Sequence, residues 1–322
     1  MKVTSLILAA GHGTRMKSDL PKVLHPLAGK PLVLHALDSA AQVSPEKPVI
    51  IIGHGADAVR QTVGDRARCV VQEPQLGTGH AVQQAEASLK GQTDLVLVVT
   101  ADMPLLTSES LRTVVQTQMD NPGPITMATI IADDPRGFGR VVRGPKGDVL
   151  AIVEEAQATA EQRTIKELNA SVYCFRSDWL WDALRRVQMS PKGEYYLTDT
   201  VEIAVRDGLE VRAVILADAQ EALGINTRVH LAEAEAVMRA RINRAWMLSG
   251  VTLVDAAATY IEPGVTIGAD TLIHPNTTLR GNTVIGRGCV IGPNVVIEST
   301  VVEDGAQVKP FTHLFSGSTV NP

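Results

Sequence analysis

Apolar residues in the first two thirds of the chain form short continuous runs separated by longer amphipathic segments. Eight runs predict buried strands, at Thr4–Ala9, Pro48–Ile52, Cys69–Val71, Leu95–Val99, Ile125–Ile131, Val149–Val153, Ala170–Phe175 and Val211–Ile215. The segments between them predict helices at Pro31–Ala41, Gly79–Leu89, Ser108–Met119, Asp178–Val187 and Thr198–Arg206. This alternation indicates an α/β fold over residues 1–226, a Rossmann-like, mainly parallel sheet with helices on both faces.

The last third of the chain has a different period. Isoleucine or leucine occupies every sixth position from Ile261 to Ile297, and the period resumes at Val302 after a shift of one residue. This register predicts a short left-handed parallel β-helix over residues 251–322, of about three coils. Residues 227–250 predict one long connecting helix. Because a short β-helix exposes its sides, we expect a homotrimer that covers them.

Composition narrows the class of protein. The chain has 322 residues and is 45% hydrophobic but only 3% aromatic, which predicts aliphatic cores. A formal net charge of -5 argues against a nucleic-acid partner. No apolar run reaches the ~20 residues that span a bilayer, so we expect no membrane insertion. The three cysteines are far apart and lack zinc spacing, which indicates reduced thiols and a cytoplasmic location.

Candidate ligand-binding residues are most concentrated just after the first predicted strand. They lie in the segments Leu8-Ala-Ala-Gly-His-Gly-Thr-Arg-Met16 and Leu20-Pro-Lys22. Glycines at positions 11 and 13 let the backbone approach a ligand closely, and loop amides before a helix favour phosphate oxygens. Arg15 and Lys22 add full positive charges. The pattern predicts a triphosphate site, and it matches neither the P-loop motif nor the dinucleotide-binding motif.

Two further segments carry candidate ligands. Asp102 follows an apolar strand, where a carboxylate suits Mg²⁺, although the same residue would also cap the following turn. Gln72 precedes the turn Gly77-Thr78-Gly79. A glutamine amide can donate to and accept from the edge of a nucleobase, and a glycine lets a backbone amide approach the base.

The motif A-A-G-x-G-T-R-M with L-P-K nearby resembles the signature of sugar-1-phosphate nucleotidyltransferases. With the other segments, the chain resembles the N-acetylglucosamine-1-phosphate uridyltransferase part of the bifunctional bacterial uridyltransferase/glucosamine-1-phosphate acetyltransferases. The resemblance covers nearly the whole chain and is most specific at 6–31, 72–81 and 193–199. It implies that UTP and N-acetylglucosamine-1-phosphate react to give pyrophosphate and UDP-N-acetylglucosamine, which feeds cell-wall precursor synthesis.

The resemblance also implies a role for each matching residue. Arg15 and Lys22 would act on the phosphates as catalytic residues, and Asp102 and Asn226 would hold Mg²⁺. The expected substrate-binding residues are Leu8, Ala9, Gly11, Gln72, Gly77 and Thr78 for the nucleotide, and Gly139, Glu154, Asn169, Tyr196 and Thr198 for the sugar. No protein base is expected, because a sugar phosphate is already ionised at pH 7. Glu155, Glu161 and Glu167 are expected to be solvated charges outside the site.

The chain departs from the family pattern at several positions. Thr100 and Ala101 stand where Tyr and Gly are common, and Ala170-Ser171 replaces Thr-Gly; these changes bear on sugar specificity. Phe315 stands where the family tends to have arginine, and the sequence stops before the family's catalytic histidine region. Acetyltransferase activity is therefore not expected.

Three alternatives remain open at this stage. The first is a related nucleotidyltransferase that uses glucose-1-phosphate or dTTP. The second is a non-catalytic sugar-nucleotide sensor or trimeric scaffold, which the intact Arg15, Lys22 and Asp102 argue against. The third is a pure hexapeptide acyltransferase, which the short repeat disfavours.

Overall fold

The computed structural model describes residues 1–321 and divides into two compact units. The first unit holds residues 1–25 and 32–226, and the second holds residues 26–31 and the chain from Thr227 onward. The predicted connecting helix therefore groups with the β-helix instead of standing apart. The short hairpin at 26–31 joins the same unit, in which the Ala28 amide donates a hydrogen bond to Glu235 Oε2 at 2.8 Å.

The strands and helices up to residue 226 are as follows. The strands are β1 Val3–Ala9, β2 Pro26–Leu27, β3 Lys30–Pro31, β4 Val49–Ile52, β5 Arg68–Val71, β6 Leu95–Thr100, β7 Ile125–Ile131, β8 Arg140–Arg143, β9 Val149–Val153, β10 Glu167–Arg176 and β11 Val211–Ile215. The helices are α1 Leu32–Ala41, α2 Ala56–Val63, α3 Thr78–Gln83, α4 Glu86–Leu89, α5 Ser108–Met119, α6 Ser177–Leu184 and α7 Asp199–Arg206.

The first unit is built on one mixed sheet with the strand order β11-β7-β10-β6-β1-β4-β5, to which β8 and β9 add an antiparallel extension. Strands β5, β4, β1 and β6 run parallel, whereas β10 is antiparallel to both β6 and β7. The central strands are fully buried, and each face of the sheet carries its own apolar core. The predicted Rossmann-like, mainly parallel sheet is confirmed. Its parallel strands bring the loops after β1 and β6 to the same edge.

The structure contains strand β8 and helix α2, which the sequence does not predict, and it divides one predicted helix in two. Strand β8 was missed because it is short and starts with arginine, and Arg140 is nearly fully buried without being apolar. Helix α2 was missed because only Val59 and Val63 of its eight residues are buried. The helix predicted over Gly79–Leu89 is two short helices, since the Ala85 amide bonds to Val82 three residues back.

The second unit contains helix α8 and the β-helix. Helix α8, Arg228–Leu248, begins at Thr227, whose hydroxyl accepts a hydrogen bond from the His230 amide at 3.2 Å, and Gly250 follows it with φ +91°. The strands are β12 Thr252–Leu253, β13 Thr259–Ile261, β14 Thr266–Ile267, β15 Leu272–Ile273, β16 Thr277–Arg280, β17 Val284–Ile285, β18 Val290–Ile291, β19 Val296–Glu298, β20 Val301–Val302, β21 Gln307–Val308, β22 His313–Leu314 and β23 Thr319–Val320.

These strands form three parallel sheets of four strands each, which confirms the predicted β-helix. Ile267 pairs with Ile285, and Ile285 pairs in turn with Val302. The second step is one residue shorter, which is the shift seen in the sequence. Among the residues that the structure describes, no helix combines the length and apolarity needed to cross a bilayer.

Candidate active site

Two adjoining cavities open at the carboxyl edge of the sheet in the first unit. The larger has a volume of about 410 Å³ and the smaller about 230 Å³. Leu8, Thr78, Thr100 and Tyr196 line both cavities, so the two spaces share a wall. Ligands bound in them would therefore be neighbours.

The larger cavity collects the residues that the sequence assigns to the nucleotide. Its lining includes the predicted residues Leu8, Ala9, Gly11, Lys22, Gln72, Gly77, Thr78 and Asp102. Gly13 packs closely against Lys22, because it adopts φ +63° and a Cβ there would lie 2.5 Å from Lys22 Cβ. The glycine turn is thus required for the close packing that positions Lys22.

Lys22 joins three segments that are far apart in the sequence. Its Nζ donates hydrogen bonds to Asp102 Oδ2 at 2.6 Å and to Asn226 Oδ1 at 3.0 Å. Burial raises the pKa of the Asp102 carboxyl, but the Lys22 ammonium and the hydrogen bonds outweigh burial, so the pKa lies below its ordinary value. Asp102 is therefore an anion at neutral pH, and its segment is held by the Ile225 amide, which donates to the Asp102 carbonyl at 2.8 Å.

The donor set fits Mg²⁺. A carboxylate oxygen and a carboxamide oxygen meet at one point, and both are the hard ligands that Mg²⁺ prefers. Within residues 1–321, no group of three or more His, Cys, Asp or Glu side chains is arranged to hold a metal. Two protein oxygens suit an ion whose other ligands are phosphate and water.

Arg15 lies apart from this cluster. It sits in the 3₁₀ turn Thr14–Met16, flanked by Gly13 and by Lys17, which has φ +49°. The turn buries Met16 and leaves Arg15 exposed, and Arg15 lines neither cavity. Arg15 is therefore outside the lining of both cavities, and its contact with phosphate stays a prediction.

The smaller cavity collects all five residues that the sequence assigns to the sugar, Gly139, Glu154, Asn169, Tyr196 and Thr198. Glu154 Oε1 accepts a hydrogen bond from the Thr198 hydroxyl at 3.1 Å. Asn169 Oδ1 accepts from the Ser171 amide at 3.0 Å and from the Tyr173 hydroxyl at 2.9 Å. The carboxamide oxygen of Asn169 is thus turned to the protein, which leaves its NH₂ group as the donor for a ligand.

Two acidic groups lie in or next to this cavity, since Glu154 lines it and Asp199 follows the lining residue Thr198. Burial raises the pKa of Glu154, although the Thr198 hydroxyl and Lys192 partly offset it. Burial also raises the pKa of Asp199 to about 6, with further contributions from Glu202 and Glu154. The region is therefore unfavourable for further negative charge and suited to hydroxyl and amide groups.

Ser171 and Tyr173 also line the smaller cavity, and the sequence reasoning did not name them as site residues. Ser171 has φ +53° at a β-bulge in β10, where the family resemblance has glycine. The replacement of this glycine by serine was the only feature of the sequence that could have pointed to Ser171. Tyr173 is almost fully buried within an apolar strand, and no sequence pattern distinguishes it from a core residue.

None of the three outlying glutamates lines either cavity, as expected, but two of them form ion pairs with arginines instead of being free in solvent. Glu155 pairs with the buried Arg140 at 2.5 Å. Glu167 accepts hydrogen bonds from the Thr129 hydroxyl at 2.9 Å and from Arg143 Nε at 2.6 Å. Both glutamates offset polar groups that the sheet partly buries. Glu161 is exposed, as expected.

Comparisons with known proteins agree with this architecture. Residues 5–188 match the family described as a MobA-like NTP transferase domain, and residues 264–299 match the bacterial transferase hexapeptide (six repeats). The "Bifunctional protein GlmU" of Exiguobacterium sp. is 46% identical over 98% of this chain and 73% of that protein. The corresponding proteins of Exiguobacterium sibiricum (47% identical, 84% of this chain and 61% of that protein) and Enterococcus faecalis (43%, 96% and 71%) are similarly related.

The chain thus spans between 61% and 73% of the length of these relatives. Among solved structures, a putative glucose-1-phosphate thymidylyltransferase from Bacillus anthracis superposes with a TM-score of 0.60 at 20% identity, over 73% of this chain and 94% of that one. CMP:2-keto-3-deoxy-manno-octonic acid synthetase does so with a TM-score of 0.57 at 17% identity, over 75% and 100%. Identities this low are informative about the fold alone.

Proposed function

Because the chain belongs to the family of bifunctional GlmU proteins and carries a MobA-like NTP transferase domain, we propose that it transfers UMP from UTP to N-acetylglucosamine-1-phosphate. The observation that carries this proposal is the pair of adjoining cavities with opposite chemistry. One contains a lysine beside oxygen ligands, and the other contains a carboxylate and an oriented carboxamide.

The proposed reaction is an in-line displacement. A phosphate oxygen of the sugar phosphate, already ionised at pH 7, forms a bond to the α-phosphorus of UTP. The bond from that phosphorus to the bridging oxygen breaks, and pyrophosphate leaves with the electron pair. Since the nucleophile carries no proton, the protein contributes position and charge rather than a base.

Residues in and beside the larger cavity divide this work. Lys22 would bind phosphate oxygens, for which it must exchange its present bonds to Asp102 and Asn226. Asp102 and Asn226 would hold Mg²⁺, which supplies neutralisation of the phosphate charge when bound. Arg15 would reach the phosphates from its exposed turn. Gln72 and Gly77 would contact the base.

The smaller cavity would orient the sugar. Glu154 and Thr198 offer acceptor and hydroxyl groups for sugar hydroxyls, and Asn169 offers an NH₂ donor for an acetamido oxygen. Because the cavity is acidic, the phosphate of the substrate would face Lys22 in the neighbouring cavity. The product would be UDP-N-acetylglucosamine, a precursor for cell-wall synthesis in the cytoplasm.

We also propose that the β-helix assembles as a homotrimer. Val284 and Val301 are paired on adjacent strands of one outer face and are 44% and 45% exposed. Apolar side chains in ladder register on a solvent-facing sheet favour coverage by another chain.

The proposed function is tested by a screen for pyrophosphate release. Four nucleoside triphosphates are each combined with several sugar-1-phosphates in the presence of Mg²⁺. We expect UTP with N-acetylglucosamine-1-phosphate to give the highest kcat/KM. A faster reaction with glucose-1-phosphate or dTTP would instead favour the related nucleotidyltransferase, and no turnover with any pair would favour a binding protein.

A further inference from the structure

Gln72 has an unusual set of partners for a side chain at a cavity wall. It is 3% exposed, and its Nε2 donates a hydrogen bond to the Gly77 carbonyl at 3.0 Å. The same Nε2 lies 3.1 Å from His80 Nδ1. Since a carbonyl oxygen only accepts, the group beside Gly77 is the NH₂, and an acceptor nitrogen on His80 would hold the carboxamide in the same orientation through a second hydrogen bond.

The Gly77 carbonyl is itself held in place. The Tyr195 amide donates to the Leu76 carbonyl at 2.8 Å, and the Gly79 amide donates to the Tyr195 carbonyl at 2.8 Å. These two bonds tie both sides of the turn to one neighbouring residue. Gly77 also has φ +94° and no space for a Cβ beside Tyr195. The turn therefore presents a rigid acceptor to Gln72.

The tautomer of His80 follows from its two glutamine neighbours. Gln84 Nε2 lies 3.0 Å from His80 Nε2, and the same atom donates to the His80 carbonyl at 3.2 Å. A neutral imidazole has only one acceptor nitrogen, so only one of the two glutamine NH₂ groups can donate to the ring. The other glutamine must turn its amide so that its oxygen faces the ring N–H. Gln72 is buried and fixed, whereas Gln84 is half-exposed and can turn. Nδ1 is thus the acceptor, and burial lowers the pKa of His80, which favours the neutral ring.

With both NH₂ hydrogens of Gln72 engaged, Oε1 is the polar atom of this side chain left for a ligand. We propose that His80 is a positioning residue that locks Gln72 as a hydrogen-bond acceptor toward the base. An acceptor there favours a pyrimidine whose edge presents a ring N–H, as uracil does at N3. It disfavours cytosine, whose N3 is an acceptor. The inference rests on the proposed use of the larger cavity for a nucleotide.

Binding of UTP and of CTP, each with Mg²⁺, tests this inference by isothermal titration calorimetry. We expect the wild-type protein to bind UTP more tightly than CTP. In His80→Leu and His80→Ala the Gln72 amide keeps Gly77 as its only acceptor, so one hydrogen bond instead of two opposes the turned-over orientation, and the ratio of the two affinities falls about tenfold. In His80→Asn, Oδ1 falls near the place of Nδ1 and keeps the amide oriented, so most of the ratio is retained.

Gln84→Leu is the matched control, because it removes the other neighbour of the ring without touching Gln72. Its affinity ratio stays at the wild-type value. An unchanged ratio in folded His80→Leu or His80→Ala overturns the inference, and so does a wild-type protein that fails to discriminate UTP from CTP. If the affinities shift as expected but no sugar phosphate is turned over, the proposed reaction fails while the role of His80 stands.

Discussion

The two cavities share a wall but differ in their charged groups, because only the larger one is lined by a lysine. In the larger one, a lysine ammonium lies 2.6 Å from Asp102 and keeps the pKa of that carboxyl low. In the smaller one, burial raises the pKa of Glu154, and it also raises the pKa of Asp199, which follows the lining residue Thr198. The contrast shows how one edge of the sheet can provide two neighbouring binding sites for ligands of different charge. Cations and backbone amides suit a polyphosphate, whereas carboxylates and amides suit a neutral sugar ring.

The largest effect is expected at the centre of the larger cavity. Asp102→Ala removes the carboxylate for Mg²⁺ and should lower kcat about 10³-fold or more. Steady-state pyrophosphate release across a Mg²⁺ titration measures this. The control is Asp133→Ala, which removes a surface carboxylate that pairs with Lys166. If Asp102→Ala stays active at the Mg²⁺ concentration that the wild type needs, then Asp102 caps its turn and does not hold the metal.

The next effect tests whether the phosphate side extends to the exposed turn. If Arg15 meets the phosphates as charge develops, Arg15→Ala should lower kcat about 10²-fold, or about 3 kcal/mol. Lysine at this position should rescue only part, because it lacks the guanidinium fork. Since Arg15 is exposed, the melting temperature of the Arg15→Ala protein should equal that of the wild type.

Lys17→Ala is the matched control for Arg15, as an exposed basic residue of the same loop. A near-normal kcat in Arg15→Ala would remove Arg15 from the mechanism. A fall in melting temperature together with activity would instead assign Arg15 to holding the loop.

A smaller and more selective effect is expected on the sugar side. Glu154→Gln keeps an oxygen for the Thr198 hydroxyl but loses the charge, so KM for the sugar phosphate should rise about tenfold. KM for UTP should stay close to the wild-type value, as should both constants in the exposed Glu161→Gln. An equal rise in both KM values would mean that the two cavities do not divide the substrates.

The smallest effect concerns stability rather than rate. The pKa of Asp199 is about 6 in the folded protein against an ordinary value of 3.8, so ionisation favours the unfolded chain as pH rises through this interval. Asp199→Asn should therefore stabilise the protein by about 1 kcal/mol at pH 7.5, allowing for solvent screening, and by almost nothing below pH 4. Denaturant unfolding at the two pH values measures this, and equal effects at both would contradict the raised pKa.

The sequence predicted the β-helix almost completely, because each inward residue is set by a local period of six. Ile285 and Val302 even reproduce the one-residue shift in their pairing. The first unit was predicted less evenly. Strand β8 buries Arg140, and only the structure shows that Glu155 pairs with this arginine. The hairpin at 26–31 likewise bonds to Glu235, a residue far away in the sequence.

The candidate site shows the same limit. Loop motifs pointed to Lys22 and Asp102 separately, but their meeting with Asn226 depends on chain topology, and only the family resemblance suggested it. The sequence does not predict the partners of Gln72, because Gln72 lies in the loop after β5 and His80 in helix α3, and their contact depends on the path of the turn between them. Arg15 shows the converse case, where a motif residue lies outside both cavities.

The most direct test of the central claim is to identify the products by ³¹P NMR after incubating the wild-type protein with UTP, N-acetylglucosamine-1-phosphate and Mg²⁺. The division of the site into a phosphate cavity and a sugar cavity predicts UDP-N-acetylglucosamine and pyrophosphate in equal amounts, and no reaction when either substrate is omitted. Unchanged substrates, or UMP and pyrophosphate formed without a sugar nucleotide, would contradict it.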